Sequence, residues 1–182
     1  IVIMNKFTRK RIIDAFTQLV SEYGYENVNV VMIIKRAEVG KTTFYRYFKD
    51  KRDVMFAHCQ NLYDTALENK ECHTFKDLSI ILFRETENNM DILALLDTIG
   101  YDSYNDFLYK YMFKRGKEII EKSWGRSLTK AEEFKVSMFS AGCAKILQEW
   151  ACGKYHEMSA EQAGEIVSTW ISDRYNVLLD DA

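Results

Sequence analysis

Residues 27–48 read NVNVVMIIKRAEVGKTTFYRYF. Val30, Ile33, Ile34 and Ala37 recur at i, i+3, i+4 and i+7, a spacing that places four apolar side chains on one helical face. Asn29 stands where a side-chain oxygen caps the first turn of such a helix. Val39 and Gly40 follow as a tight turn, and Phe44 and Phe48, four positions apart, share one face of a second short helix. A pair of this kind can set its second helix into a DNA major groove while the first braces it against the backbone. The faces left free by Phe44 and Phe48 carry Lys41, Thr42, Thr43, Tyr45, Arg46 and Tyr47, which offer donors, acceptors and a methyl group suited to thymine. Lys49, Lys51 and Arg52 come next, with the chemistry that phosphates need.

Outward from this stretch the same period continues. Upstream, Ile12, Ile13, Phe16, Leu19, Val20 and Tyr23 mark a first amphipathic helix that Gly24 stops. Downstream, Asp50 with Asp53 starts a long helix, and further starts are marked by Thr74 with Asp77, Ser103 with Asp106, Thr129 with Glu132 and Ser159 with Gln162. The spacing predicts about nine helices over 7–23, 30–37, 41–48, 51–69, 75–86, 88–99, 103–124, 130–152 and 160–179, with no strand-like alternation between them. The expected class is all-α, with a helix-turn-helix domain over 1–50 and a second helical domain over 51–182.

Composition agrees. Of 182 residues none is proline, where average usage of about 5% would give roughly nine, and long uninterrupted helices explain the lack. With 47% hydrophobic residues the chain can build a core without disulfide or metal staples. No apolar run approaches the roughly 18 residues that span a bilayer, so a cytoplasmic protein is expected. Cys59, Cys72, Cys143 and Cys152 form no CxxC pair and read as reduced thiols. Residues 1–55 hold 11 Lys and Arg against 6 Asp and Glu, a balance of +5, and the remaining residues hold 14 against 21, a balance of −7. A basic head on an acidic body suggests that the head meets a polyanion.

With these residues in hand, the first 56 residues resemble the DNA-binding domain of the TetR/AcrR family of transcriptional regulators. The likeness rests on Tyr23-Gly24-Tyr25 and on the run from Ala37 through Val39, Thr43, Tyr45, Tyr47 and Phe48 to Lys51. The resemblance implies that Lys41, Thr42, Tyr45 and Arg46 touch base edges, and that Asn29, Thr43, Tyr47 and Lys51 bind phosphates. Three positions depart from the family's pattern: Glu38 where Gly is usual, Gly40 where Ser caps the recognition helix, and Ile34 where Ala is usual. Glu38 puts a negative charge near the DNA side and either weakens or sharpens binding.

The rest of the chain resembles the family's effector-binding and dimerisation domain in length and layout. That implies a homodimer joined through its last two helices, for which Phe139, Gly142, Cys143, Ile146, Leu147 and Trp150 form one apolar stripe and Ala163, Ile166, Val167, Trp170 and Ile171 another. It also implies a pocket for an apolar or aromatic small molecule, with Tyr63, Phe83, Tyr104, Phe107, Tyr111 and Met138 as candidate lining. Catalytic, cofactor and metal sites are not expected. Gly40-Lys41-Thr42 lacks the first glycine of a phosphate loop, since Lys35 occupies that place. His58-Cys59 and Cys72-His73 are adjacent pairs, whose side chains leave a helix about 100° apart and do not converge on one ion. The expected function is a dimeric, ligand-responsive regulator, most often a repressor in that family, that releases a palindromic operator on binding a small molecule. The alternative is a helical sensing or protein-interaction module that has lost DNA binding.

Overall fold

The computed structural model describes residues 2–68, 72–89, 101–155, 157–167 and 169. Among these the chain is helical throughout: α1 (Val2–Tyr23), α2 (Val30–Arg36), α3 (Lys41–Tyr47), α4 (Lys51–Glu68), α5 (Phe75–Asn88), α6 (Tyr101–Trp124), α7 (Lys130–Ala151) and α8 (residues 160–167), with a single 3-10 turn at Tyr25–Asn27. The helix predicted over 88–99 lies outside the described residues. Ser103 falls inside the first turn of α6 instead of capping it, because that helix is already formed at Tyr101.

The punctuation works as the side chains require. Gly24 ends α1 at φ +76, a conformation that glycine adopts without a Cβ clash, and its N–H reaches the Val20 carbonyl at 2.8 Å. Asn29 Oδ1 accepts from the Met32 N–H at 3.1 Å. Asp50 Oδ1 accepts from the N–H groups of Arg52 and Asp53 at 2.8 and 2.9 Å, while Asp53 accepts from the Lys49 N–H at 2.9 Å. Thr74 with Asp77 and Thr129 with Glu132 form reciprocal capping boxes, and Ser159 with Gln162 repeats the arrangement at 3.2 and 3.0 Å.

The chain packs as two units, Ile1–Leu62 and Tyr63–Ala182, and the division falls within α4. In the first, Ile12, Phe16 and Leu19 of α1 close on Ile33, Phe44 and Phe48, with Val54 and Met55 of α4 completing the buried set. Arg36 ties the end of α2 to α1 through two parallel bonds to Glu22, both 2.7 Å, and its guanidinium holds the Glu22 carboxyl below the usual carboxylate range. In the second, the five-residue connection after Trp124 folds α7 back along α6 in the most extensive helix pairing of this unit. Leu108 and Met112 meet Val136, Phe139 and Leu147 in its core, joined by Leu78, Leu82 and Phe83 of α5. Gly164 of α8 lies so close to α5 that an added Cβ would meet the Ile80 backbone at 3.2 Å. Arg84 pairs with Glu161 at 2.6 Å across the same contact.

Candidate nucleic-acid interface

The two short helices of the first unit present one polar surface. Phe44 and Phe48 turn α3 inward and are fully and almost fully buried. Their burial fixes the remaining faces: Lys41, Thr42, Tyr45 and Arg46 are exposed, and Thr43 and Tyr47 are half-buried. The Tyr45 ring is 50% exposed and stands edge-on to Phe44 at 5.3 Å, so one edge is anchored while the hydroxyl end is free to reach outward. The Arg46 guanidinium lies 5.4 Å from the centre of the Tyr47 ring, which orients the fork beside the helix. Gly40 caps α3 with extended backbone and no side-chain bond.

The turn differs from its sequence-based parse. The residue with left-handed backbone is Glu38, at φ +49, and Val39 and Gly40 are not the source of the reversal. A non-glycine residue there costs about 1 kcal/mol relative to glycine. Arg11 of α1 braces the same turn: its Nη2 donates to the Ala37 carbonyl at 2.5 Å and to the Glu38 carboxylate at 3.3 Å. A cation at the C-terminal end of α2 also answers that helix's dipole.

Lys51 is placed differently from the expectation of a phosphate ligand. Its Nζ donates to the carbonyls of Tyr25 and Val28, both at 2.9 Å, and to that of Glu26 at 3.4 Å, and it lies 4.2 Å from the centre of the Tyr25 ring. Three donors facing three carbonyls make it the anchor of the segment that precedes α2. Asn29 likewise spends its side-chain oxygen on the α2 cap. Sequence reasoning missed both Arg11 and this use of Lys51, since their partners stand 23 to 27 positions away along the chain.

In the second unit, most of the predicted pocket residues are core. Tyr63, Phe83, Tyr104 and Tyr111 are buried, and Phe107 is half-buried between Tyr104 and Tyr111, with ring centres 6.1 and 6.2 Å away. The Tyr63 hydroxyl bonds those of Thr86 and Tyr104 at 3.0 and 3.2 Å. The Tyr111 hydroxyl donates to Asp64 at 2.8 Å, where Arg115 also donates, at 2.5 and 3.1 Å. Met138 is 53% exposed on the outer face of α7 and does not join this cluster. A groove of roughly 510 Å³ opens beside it, lined by Asp64, Leu67, Cys72, Arg115, Ile119 and Lys122 among others, and none of the six predicted pocket residues lines it. Burial pushes the Cys59 and Cys143 thiols up to about 12 and Cys72 up to about 11, so these three are protonated thiols at neutral pH.

The predicted interface stripe divides between the two sides of α7. Phe139, Cys143, Leu147 and Trp150 face the interior of their own unit, where Trp150 stacks edgewise on Phe83 at 5.5 Å and donates to the Met158 carbonyl at 2.8 Å. The apolar side chains that α7 turns outward are Phe134, Met138 and Ile146, with Gly142 between them. Ile166 is exposed on α8 and Val167 half-buried, while Trp170 and Ile171 lie outside the described residues.

Residues 12–57 match the profile described as "Bacterial regulatory proteins, tetR family". Over 57 residues, 31% of this chain and 25% of the relative, the sequence is 40% identical to the HTH-type transcriptional regulator HbdR of Aromatoleum sp. (strain CIB). Over 95 residues it is 35% identical to an uncharacterized HTH-type transcriptional regulator, YvkB of Bacillus subtilis (strain 168), covering 48% of this chain and 50% of that one. The matches thus span half or less of these curated relatives. Among solved structures, RolR in complex with resorcinol superposes with a TM-score of 0.55 at 17% identity, covering 92% of this chain and 87% of that one, a likeness of fold.

Proposed function

Because residues 12–57 match the tetR family of bacterial regulatory proteins, we propose that this chain is a dimeric, ligand-responsive regulator of that family which binds a near-palindromic operator and releases it on binding a small molecule. The observation that carries this reading is the outward face of α3, where Lys41, Thr42, Tyr45 and Arg46 stand exposed while Phe44 holds the helix in place from behind. Lys41 and Arg46 suit guanine O6 and N7, the threonine methyl suits thymine, and Thr43 and Tyr47 suit the flanking phosphates. The +5 balance of the head supplies the sequence-independent attraction.

Two copies are needed for a palindrome. The mating face we assign is the ridge Phe134, Met138, Gly142 and Ile146, spaced four apart along α7, together with Ile166 of α8. Rows at this spacing interlock with the same row of a symmetric partner, and Gly142 leaves a gap for close approach. The effector is an apolar or aromatic small molecule, in keeping with the aromatic wealth of α6 and with the resorcinol bound by the structural neighbour RolR. Release follows from linkage: an effector that prefers the subunit arrangement unsuited to the operator lowers DNA affinity by the same factor by which DNA lowers its own.

Selection of bound fragments from genomic DNA, followed by affinity measurement on the enriched site, tests the reading. Thr42→Ala and Tyr45→Ala are each expected to cost about 1–3 kcal/mol on that site and to relax its sequence preference. Unchanged affinity in both variants would remove α3 from the base contacts. Failure of the full chain to retain any duplex at low salt would leave the sensing or protein-interaction module instead.

A further inference from the structure

One acidic side chain intrudes on the cationic surface of the helix-turn-helix. Glu38 stands two positions before the Gly40 cap of α3, in a segment whose Lys35, Lys41, Arg46 and Lys49 are all exposed. Folding does not ask for a glutamate there. Its backbone, at φ +49, is one that glycine adopts most readily. Its side chain is 84% exposed and so gains little from packing, and its ion pair with Arg11, itself 39% exposed, contributes little in water. Arg11 would brace the end of α2 without it, through the Ala37 carbonyl at 2.5 Å. A residue set against its backbone preference, two positions before the helix proposed to meet DNA, points to a role in the bound state.

We propose that Glu38 is a specificity-determining residue, which lowers binding to generic duplex more than binding to the operator. This rests on the DNA-binding reading of α3. When the head rides over arbitrary sequence, phosphates pass the turn in every register and the carboxylate opposes them across less than the screening length of about 8 Å at physiological salt. In the seated register the same carboxylate accepts a hydrogen bond from an exocyclic amine of cytosine or adenine, which phosphates cannot offer. Discrimination of this kind comes from a repulsive element that the correct partner alone answers.

The test compares the full-length chain with Glu38→Gln, which removes the charge and keeps the shape, and Glu38→Gly, which also relieves the backbone. Each is titrated against a random-sequence duplex and against the site enriched by selection with the unaltered protein, between 50 and 200 mM salt. Both variants are expected to bind the random duplex about threefold more tightly at the low end, with a log affinity against log salt slope steeper by up to about 0.9. Their ratio of enriched-site to random-duplex affinity is expected to fall by at least that factor. An unchanged ratio in Glu38→Gln overturns the proposal, whether or not Glu38→Gly differs, because the effect would then belong to the backbone. If the unaltered protein retains neither duplex, the DNA-binding reading itself fails, an outcome distinct from a lost difference with operator binding intact.

Discussion

Helices α3 and α7 bury comparable aromatic anchors and turn opposite chemistry outward. In α3, Phe44 and Phe48 point in, and the outer surface is lysine, threonine, tyrosine and arginine. In α7, Phe139, Leu147 and Trp150 point in, yet the outer surface still carries Phe134, 72% exposed, Met138 and Ile146. Apolar side chains exposed in a row along one helix form a patch of the kind that marks an interaction surface. The first helix is finished as part of its unit and awaits water or a charged polymer. The second exposes an apolar ridge that suits the partner surface proposed above. One chain therefore carries two kinds of incompleteness, one electrostatic and one hydrophobic.

The comparison breaks most decisively at the core of the head. Phe44→Ala is expected to cost about 3–5 kcal/mol and to melt the first unit while the second keeps its helicity, which circular dichroism and hydrogen exchange resolve by segment. Loss of both units together would show that the division within α4 is not an energetic one. On the other side, Met138→Glu places a charge in the middle of the α7 ridge and is expected to yield monomers by light scattering, with the fold retained. A surviving dimer would move the interface off that ridge. Lys51→Ala sharpens the contrast within the head: about 1–3 kcal/mol of stability lost through the stranded Tyr25 and Val28 carbonyls, measured by urea unfolding, with the salt slope of DNA binding unchanged. A shallower slope instead would return Lys51 to the phosphate contacts.

The smallest effect concerns pH. His58 of α4 has a buried Nε2 with no hydrogen-bond partner, and burial pushes its pKa below the ordinary 6.5, with the Asp14 carboxylate opposing that shift. The folded head thus prefers the neutral imidazole. As pH falls below about 6.5 the unfolded chain takes up a proton that the folded one resists, so stability declines on the acid side and is full above it. A thermal melt series from pH 7.5 to 5.5 should show this decline, and His58→Leu should flatten the part it owns. An equal slope in the variant would assign the decline to other groups.

Much of this was legible in the residues. The period-3.6 patterns fixed seven of the helices to within a few positions at most ends, and local chemistry marked their starts: Asn29, Asp50, Thr74 and Thr129 all cap as their side chains require. The outward set on α3 followed from two phenylalanines four apart. What escaped was non-local. Helix α7 is apolar on both sides, so its periodicity contains two stripes and cannot say which one the body claims; only the packing of α5 and α6 decides that Phe139 goes in and Phe134 out. Lys51 and Arg11 look like surface cations until the chain brings them to carbonyls 23 to 27 positions away. The turn reads as Val39-Gly40 because glycine is the residue that left-handed backbone favours, whereas the reversal falls on Glu38 and Gly40 is extended.

Between the end of α3 at Tyr47 and the start of α4 at Lys51 there are only three residues, and both margins of that gap are fastened: Phe48 by the core, Asp50 and Asp53 by crossed bonds to neighbouring amides. Such a joint has almost no slack. With so little slack, α3 and the first turn of α4 form one piece of the head. Under the proposed regulation, release of the operator would need no melting of the joint, only the two helices turning together.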